Sequence, residues 1–276
     1  MEQVLKTMLE NVRAKSPLVH NITNYVTVND VANVLLAAGG SPIMSDDADD
    51  VEDITSICGG LNINIGTLNK NTIPSMFLAG KKANALGHIV LLDPVGAGAS
   101  RLRTDTANRL MQEVRFDAVR GNISEIKTLC TGSGSTKGVD ADAVDAVTEA
   151  NLDNGVQLVK TFAAQTGCII AVTGAIDLVS DGERCWCIRN GRAEMSRITG
   201  TGCQLSALMT AFLVANPDRK LDAAAAAVCM MGLAGEIGWA NMQPGDGNST
   251  YRNRIMDAIF NMTGDALEEG AKYELR

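Results

Sequence analysis

Along this chain, short unbroken apolar runs alternate with longer stretches in which apolar residues recur every three or four positions. The runs SPIMS (41–45), LNINIG (61–66), HIVLLDP (88–94), FDAVRGN (116–122) and CIIAVTG (168–174) have the length and continuity of buried strands. Between them, 28–40, 73–87, 104–114 and 151–167 carry helical spacing, and three of the four end on glycine, as helix C-termini tend to. Strands apolar on both sides, separated by helices, predict a parallel sheet covered on both faces. After 174 the pattern changes. DLVSDG (177–182) and RCWCIRNG (184–191) predict a hairpin with polar turns. A glycine turn at 200–202 then opens into three predicted helices, the last spanning about 249–272. Residues 1–17 mix charged and apolar positions as an amphipathic helix does, unlike a signal peptide. The longest apolar run, 223–235, is too short to span a bilayer and predicts a buried helix. No Pro/Ser-rich linker, repeat or low-complexity segment divides the chain, so the expectation is one α/β domain over 1–276.

Composition narrows the function classes. The 276 residues are 46% hydrophobic and 20% charged, with a formal net charge of −8, which is ordinary for a globular protein. The acidic balance argues against unspecific nucleic-acid binding. It leaves anionic small ligands open, because a cradle of backbone N–H groups needs no global positive charge. Seven cysteines without a regular framework suit a reducing cytoplasm. Cys185 and Cys187 share one face of their strand. With only His20 and His88 available and no second cysteine pair, a zinc site is not expected.

In open parallel sheets, ligands bind beyond the carboxyl ends of the strands. That rule selects Met44, Asp93, Asn122, Glu125, Thr173 and the turn Gly200–Thr201–Gly202. A helix opening at Gly202 exposes unpaired N–H groups and a positive partial charge, which is an anion site. The same glycines also suit a tight turn that only lets the helix pack. The chain contains no G-x-x-x-x-G-K-[ST], and no G-x-G-x-x-G follows the first strand. Any phosphate site must therefore lie at this C-terminal turn. Asp93 and Glu125 offer hard oxygen ligands suited to Mg²⁺ completed by water and phosphate. Glu125 equally suits a helix cap, three residues after Asn122. An anion turn beside carboxylates favours phosphoryl transfer, where positioning and charge neutralisation do most of the work.

The segments HNITNYVTVNDVANVLLAAGGSPIM, RGNISE, AVTG and TGTGC closely resemble the hydroxyethylthiazole kinase family of the ribokinase-like superfamily. The resemblance extends from His20 to the last helices. It implies a ribokinase-like three-layer sandwich and ATP- and Mg²⁺-dependent phosphorylation of the hydroxyl of 4-methyl-5-(2-hydroxyethyl)thiazole, for thiamine salvage. It implies homotrimers in the cytoplasm with the thiazole pocket at a subunit boundary, and no nucleic-acid or membrane partner. Residue by residue, it puts Arg120, Asn122 and Thr173 on ATP, and Met44, Gly200, Asn24 and Val26 on the thiazole. Asp93 and Glu125 fall on the metal, and Gly200, Gly202 and Cys203 at the reacting hydroxyl. Cys203 stands where most of the superfamily carries an aspartate base. A thiol at a helix N-terminus is expected to have its pKa lowered, though a cysteine there also suits simple packing.

Other readings compete. Within the superfamily, the acceptor is another hydroxymethylated ring, such as a pyrimidine or pyridoxal, or the fold serves an ATP-dependent repair dehydratase. From other classes, Cys203 with His20 or His88 makes a cysteine hydrolase or acyltransferase, or the chain is a nucleotide sensor without turnover. Phosphorylation assays with a substrate panel separate these.

Overall fold

In the computed structural model, residues 3–131 and 146–276 are described. Six strands, β1 (Leu18–Ile22), β2 (Ser41–Met44), β3 (Gly60–Asn64), β4 (Ile89–Asp93), β5 (Ala118–Asn122) and β6 (Ile169–Thr173), run parallel. Then β7 (Asp177–Ser180), β8 (Cys185–Ile188) and β9 (Tyr273–Leu275) add antiparallel neighbours, giving a nine-stranded sheet of order β2-β1-β3-β4-β5-β6-β7-β8-β9. The helices are α1 (Val4–Lys15), α2 (Val28–Ala38), α3 (Val51–Ile57), α4 (Thr72–Leu86), α5 (Arg101–Glu113), α6 (Ile123–Thr131), α7 (Leu152–Thr166), α8 (Thr201–Ala215), α9 (Lys220–Ala240), α10 (Asn248–Asn261) and α11 (Gly264–Gly270).

Alternation along each strand divides the core in two. Leu61, Ile63, Val90, Leu92, Ile170 and Val172 pack on the face covered by α4–α7. Leu91, Ala118, Ile169 and Ala171 pack on the face covered by α1, α8, α9 and α10. The result is the three-layer α/β arrangement expected from the continuous apolar runs. Helix α9 is buried nearly all round, and its alanine run 223–227 is fully inaccessible. Its length and hydropathy would suffice to cross a membrane, but 78% of that window lies inside the fold. A helix apolar on every side belongs in a core of this kind.

The five predicted parallel strands and the hairpin appear within three residues of expectation. Strand β1 and the short helix α3 are additional, and α6 starts at the cap that the Asn122–Glu125 spacing suggested. The single helix expected over 249–272 is instead α10, α11 and β9. Thr263 breaks it: backbone at Met262 is extended, and Thr263 Oγ1 accepts from Ala266 N at 3.1 Å, capping a new helix. The chain then continues as β9 against β8, with Cys185 N donating to Arg276 O at 2.7 Å.

Strand β1 pairs with β2 on one side and β3 on the other, so the crossover from β1 to β2 and the crossover from β2 to β3 run in opposite directions along the sheet. This reversal opens a crevice at the carboxyl ends of β1, β2 and β3. The face of α8 lies above it, and its first turn reaches across to β4 and β5.

Candidate active site

Four strands deliver polar side chains to the α8 face of the sheet at this edge. Strand alternation sends Asn62 and Asn64 of β3 and Asp93 of β4 to that face, while Ile63 and Leu92 point away. Asp93 is fully buried; its Oδ2 accepts from Asn64 Nδ2 at 2.7 Å and from Ser206 Oγ of α8 at 2.8 Å. Its Oδ1 has no hydrogen-bond donor but lies 3.8 Å from an Arg120 guanidinium nitrogen. Burial pushes the Asp93 carboxyl up, and Arg120, Ser206 and Asn64 oppose that rise.

Arg120 projects from β5 beneath the glycine turn and donates to Thr173 Oγ1 of β6. A side chain on Gly202 would overlap the guanidinium. Gly200, the N-cap of α8, has φ +86°, and a side chain on it would overlap the Thr27 methyl group. Both glycines are therefore required by close approach, one to the cation and one to the loop after β1. No side chain caps α8, so its leading N–H groups and the positive end of its dipole face the crevice.

Asn24 ties that loop to the rest. Its Nδ2 donates to Asn64 Oδ1 and to Cys203 Sγ, both at 3.1 Å. Its Oδ1 accepts from Thr27 N at 3.2 Å and Thr27 Oγ1 at 3.1 Å. An amide has two hydrogens and two lone pairs, so its capacity is used within the protein. Asn24, expected to line the thiazole pocket, thus also braces the loop after β1 from within the protein. Its neighbours Tyr25 and Val26 are exposed, at 77% and 57%. Met44, at the carboxyl end of β2, is half-buried and packs with the small cluster that contains Cys203, Val31 and Ala207.

Cys203 departs from expectation. Its thiol pKa is raised, not lowered: burial acts first, the nearby Asp93 carboxylate second, and Arg120 with the Asn64 and Asn24 amides only partly offset them. Desolvation of the thiolate is the largest influence on this group. Glu125 likewise acts as a cap. Its Oε2 accepts from Asn122 N at 2.7 Å, Asn122 Oδ1 accepts from Glu125 N at 2.9 Å, and Glu125 Oε1 accepts from Gly96 N at 2.8 Å. This reciprocal pair starts α6 directly at the end of β5. Burial, reinforced by Asp93, pushes the Glu125 carboxyl up to about 7.

His20 takes no part. It lies on the opposite face of β1, with Nδ1 3.0 Å from Thr55 Oγ1 and Nε2 2.9 Å from Ser45 O, and burial lowers its pKa. His88 stands at the amino ends of the strands. A Cys–His hydrolase pair is therefore not assembled. Among the described residues no group of three or more His, Cys, Asp or Glu side chains could hold a metal. Asp93 and Glu125 remain as two carboxylates at one edge. The spare Oδ1 of Asp93 and one unused lone pair on each Glu125 oxygen fit a Mg²⁺ ion coordinated mainly by phosphate and water.

Sequence reasoning did not find Asn64, Thr27, Ser206 or Arg103, which hold these groups. The alternation of asparagines in NIN (62–64) after an apolar residue was the available signal.

Comparison with known proteins places this arrangement. The profile of the Hydroxyethylthiazole kinase family matches residues 9–265. The chain belongs to the hydroxyethylthiazole kinase family. A hydroxyethylthiazole kinase of Clostridium acetobutylicum is 58% identical over 271 residues, 98% of this chain and 99% of that protein. The solved hydroxyethylthiazole kinase of Pyrococcus horikoshii superposes with a TM-score of 0.88 at 32% identity, covering 100% of each chain. A pyridoxal kinase of Staphylococcus aureus shares the fold, with a TM-score of 0.63 at 14% identity over 94% of this chain and 97% of that one. The fold of this family member is accordingly ribokinase-like.

Proposed function

We propose that this protein transfers a phosphoryl group from ATP to the primary hydroxyl of 4-methyl-5-(2-hydroxyethyl)thiazole, the kinase step of thiamine salvage. The observation that carries the reading is the 58% identity to a hydroxyethylthiazole kinase across essentially the whole chain. The uncapped N-terminus of α8 beside Arg120 supports it. The pyridoxal kinase likeness, at 14% identity, speaks for the fold alone.

In this reading the triphosphate enters from the β5–β6 side, where Arg120 and Thr173 meet, with Asn122 beside them. The leading N–H groups of α8 and the guanidinium carry the negative charge of the transferring group. Gly200 and Gly202 keep the path open. The thiazole lies over the β1–β2–β3 crevice near Met44 and Val26, its hydroxyl directed to the first turn of α8. Mg²⁺, held by Asp93 and Glu125 as its protein ligands, would supply charge neutralisation between the phosphates. Cys203 is a neutral thiol at pH 7 and in that form takes no proton from the alcohol; in a loose transition state the hydroxyl proton is lost late, to a phosphate oxygen or to water.

The assembly is a homotrimer with the pocket completed by a neighbouring copy, and the compartment is the cytoplasm. Exposed Tyr25 and Val26 beside the crevice support the first. Seven unpaired cysteines support the second.

The test is ADP release with ATP, Mg²⁺ and a panel of hydroxyethylthiazole, pyridoxal and hydroxymethylpyrimidine. Turnover confined to the thiazole alcohol is expected; preference for another acceptor, or ATP binding without turnover, overturns the reading. Sedimentation equilibrium reporting a monomer would overturn the trimer separately.

A further inference from the structure

Arg103 belongs to neither the ATP nor the thiazole contacts, yet it sits where the loops of the site converge. It lies in the first turn of α5, where its N–H donates to the cap Ser100 Oγ at 3.3 Å. Its side chain runs back across the carboxyl edge. Nη2 donates to Gly66 O at 2.5 Å and Nη1 to Val95 O at 3.2 Å. A cation in an acidic protein is thus placed on two carbonyls and not on a carboxylate.

Each carbonyl belongs to a loop that holds a carboxylate. Gly66 N donates to Asn64 Oδ1 at 2.9 Å, and Asn64 Nδ2 donates to Asp93 Oδ2 at 2.7 Å. Val95 precedes Gly96, whose N–H donates to Glu125 Oε1 at 2.8 Å. Gly96 is buried at φ +73°, and a side chain on it would overlap Arg103 Nη1. The guanidinium therefore lies close against the loop after Asp93 and ties it to the loop after β3. The guanidinium reaches the two carbonyls from two separate, rigidly held nitrogens, whereas an ammonium has to donate to both from a single flexible nitrogen.

We propose that Arg103 is a positioning residue for phosphoryl transfer, fixing the loops after β3 and β4 so that Asp93 and Glu125 hold their relative placement. The proposal rests on the kinase reading for its catalytic consequence, but its structural half stands without it. A displacement of about 1 Å in such a constellation costs on the order of a hundredfold in rate.

The experiment compares wild type, Arg103→Met and Arg103→Lys in steady-state assays with hydroxyethylthiazole, ATP and Mg²⁺, normalised to folded protein. The expected result is a fall in kcat of about thirtyfold or more for Met, KM for the alcohol within about threefold, and Lys between Met and wild type. A role limited to fold stability would change the folded fraction and leave this split absent. Amide exchange of metal-free protein supplies the second arm: protection at Gly66 and Gly96 should fall in Arg103→Met while the α8–α9 core stays protected. Gly96→Ala approaches the same contact from the other side, so its effect and that of Arg103→Met should be strongly non-additive in the double variant. Wild-type kcat in folded Arg103→Met, additive effects in the double variant, or unchanged exchange at both glycines overturns the proposal. Absence of turnover in the wild type overturns the kinase reading instead, and the exchange arm still decides whether Arg103 holds the two loops.

Discussion

Cys203 near the start of α8 and Phe212 in its later turns are buried to nearly the same degree and have unlike surroundings. Cys203 is 8% exposed and Phe212 is not exposed at all. Around Cys203 and Ser206 stand Asn24, Asn64, Asp93 and Arg120; the side chains of Leu208, Met209 and Phe212 pack into the apolar main core. The apolar end contributes stability through area removed from water. The polar end has every group but a few committed to a donor or acceptor, and contributes geometry. Burial by itself therefore does not separate a core residue from a site residue; the chemistry of the neighbours does.

The contrast can be broken from either end. Phe212→Ala should have the largest effect, a loss of roughly 3–5 kcal/mol in unfolding free energy. Because the cavity lies away from the crevice, kcat per folded molecule should stay near wild type. Denaturant unfolding with parallel kinetics checks this, and a large kcat loss would show that the two ends are coupled.

Gly202→Val should do the opposite. Its side chain would displace Arg120 and disturb the N–H groups of the helix start, at a cost of about 3 kcal/mol in the transition state, a hundredfold or more in kcat. Near-normal turnover of the folded variant would remove the anion turn from the mechanism.

Cys203 sharpens the comparison at its boundary. With its thiol neutral at pH 7, Cys203→Ala should lower kcat by no more than about tenfold, below the range of an essential general base. Cys203→Asp should keep or raise kcat, since the Asn24 and Asn64 amides and Arg120 can support a carboxylate there. Complete inactivity of Cys203→Asp with ATP binding intact would favour a covalent thiol.

The smallest effect concerns pH. Glu125 and Asp177, whose Oδ1 accepts from Gly174 N at 2.8 Å, are both pushed up to about 7, chiefly by burial. Their folded pKa values lie above the unfolded ones, so the folded protein binds more protons between roughly pH 4 and 7. Their stabilising contribution is complete below that window and is lost as pH rises through about 7. Metal-free Tm should therefore decline from pH 5 to pH 8, with a shallower slope in Glu125→Gln. An identical slope in that variant would show that Glu125 does not titrate there.

Local pattern carried much of the architecture. The runs around Leu61, Val90 and Ile170 are apolar on both sides of the strand, and only a sheet covered on both faces accommodates that. The predicted hairpin and the N-terminal amphipathic helix followed from period and turn residues in the same way. Where helical period ran on through Thr263, the pattern misled, because one capping hydroxyl ended α10 and redirected the chain into β9. The start of helix α6 was legible in the Asn122–Glu125 spacing, and the structure forms that cap directly at the end of β5, without a loop.

At the site, residue types and their place at strand ends already marked Met44, Asp93, Asn122, Glu125, Thr173 and the glycine turn in the linear sequence, and the family resemblance added Arg120. Their relations were not there to read. Whether the Cys203 thiol is raised or lowered depends on burial and on Asp93, which is 110 positions away in the chain. Whether Asn24 faces a ligand or braces the fold depends on Asn64 and Thr27 filling its hydrogen-bonding capacity. Arg103 looks like any surface arginine until Gly66 and Gly96 come under its guanidinium. Side-chain type and spacing are local properties that sequence alone determines, whereas desolvation, charge proximity and the closure of a hydrogen-bond network exist only once distant segments meet, and for this protein those were settled by the packing of α8 and the carboxyl-edge loops.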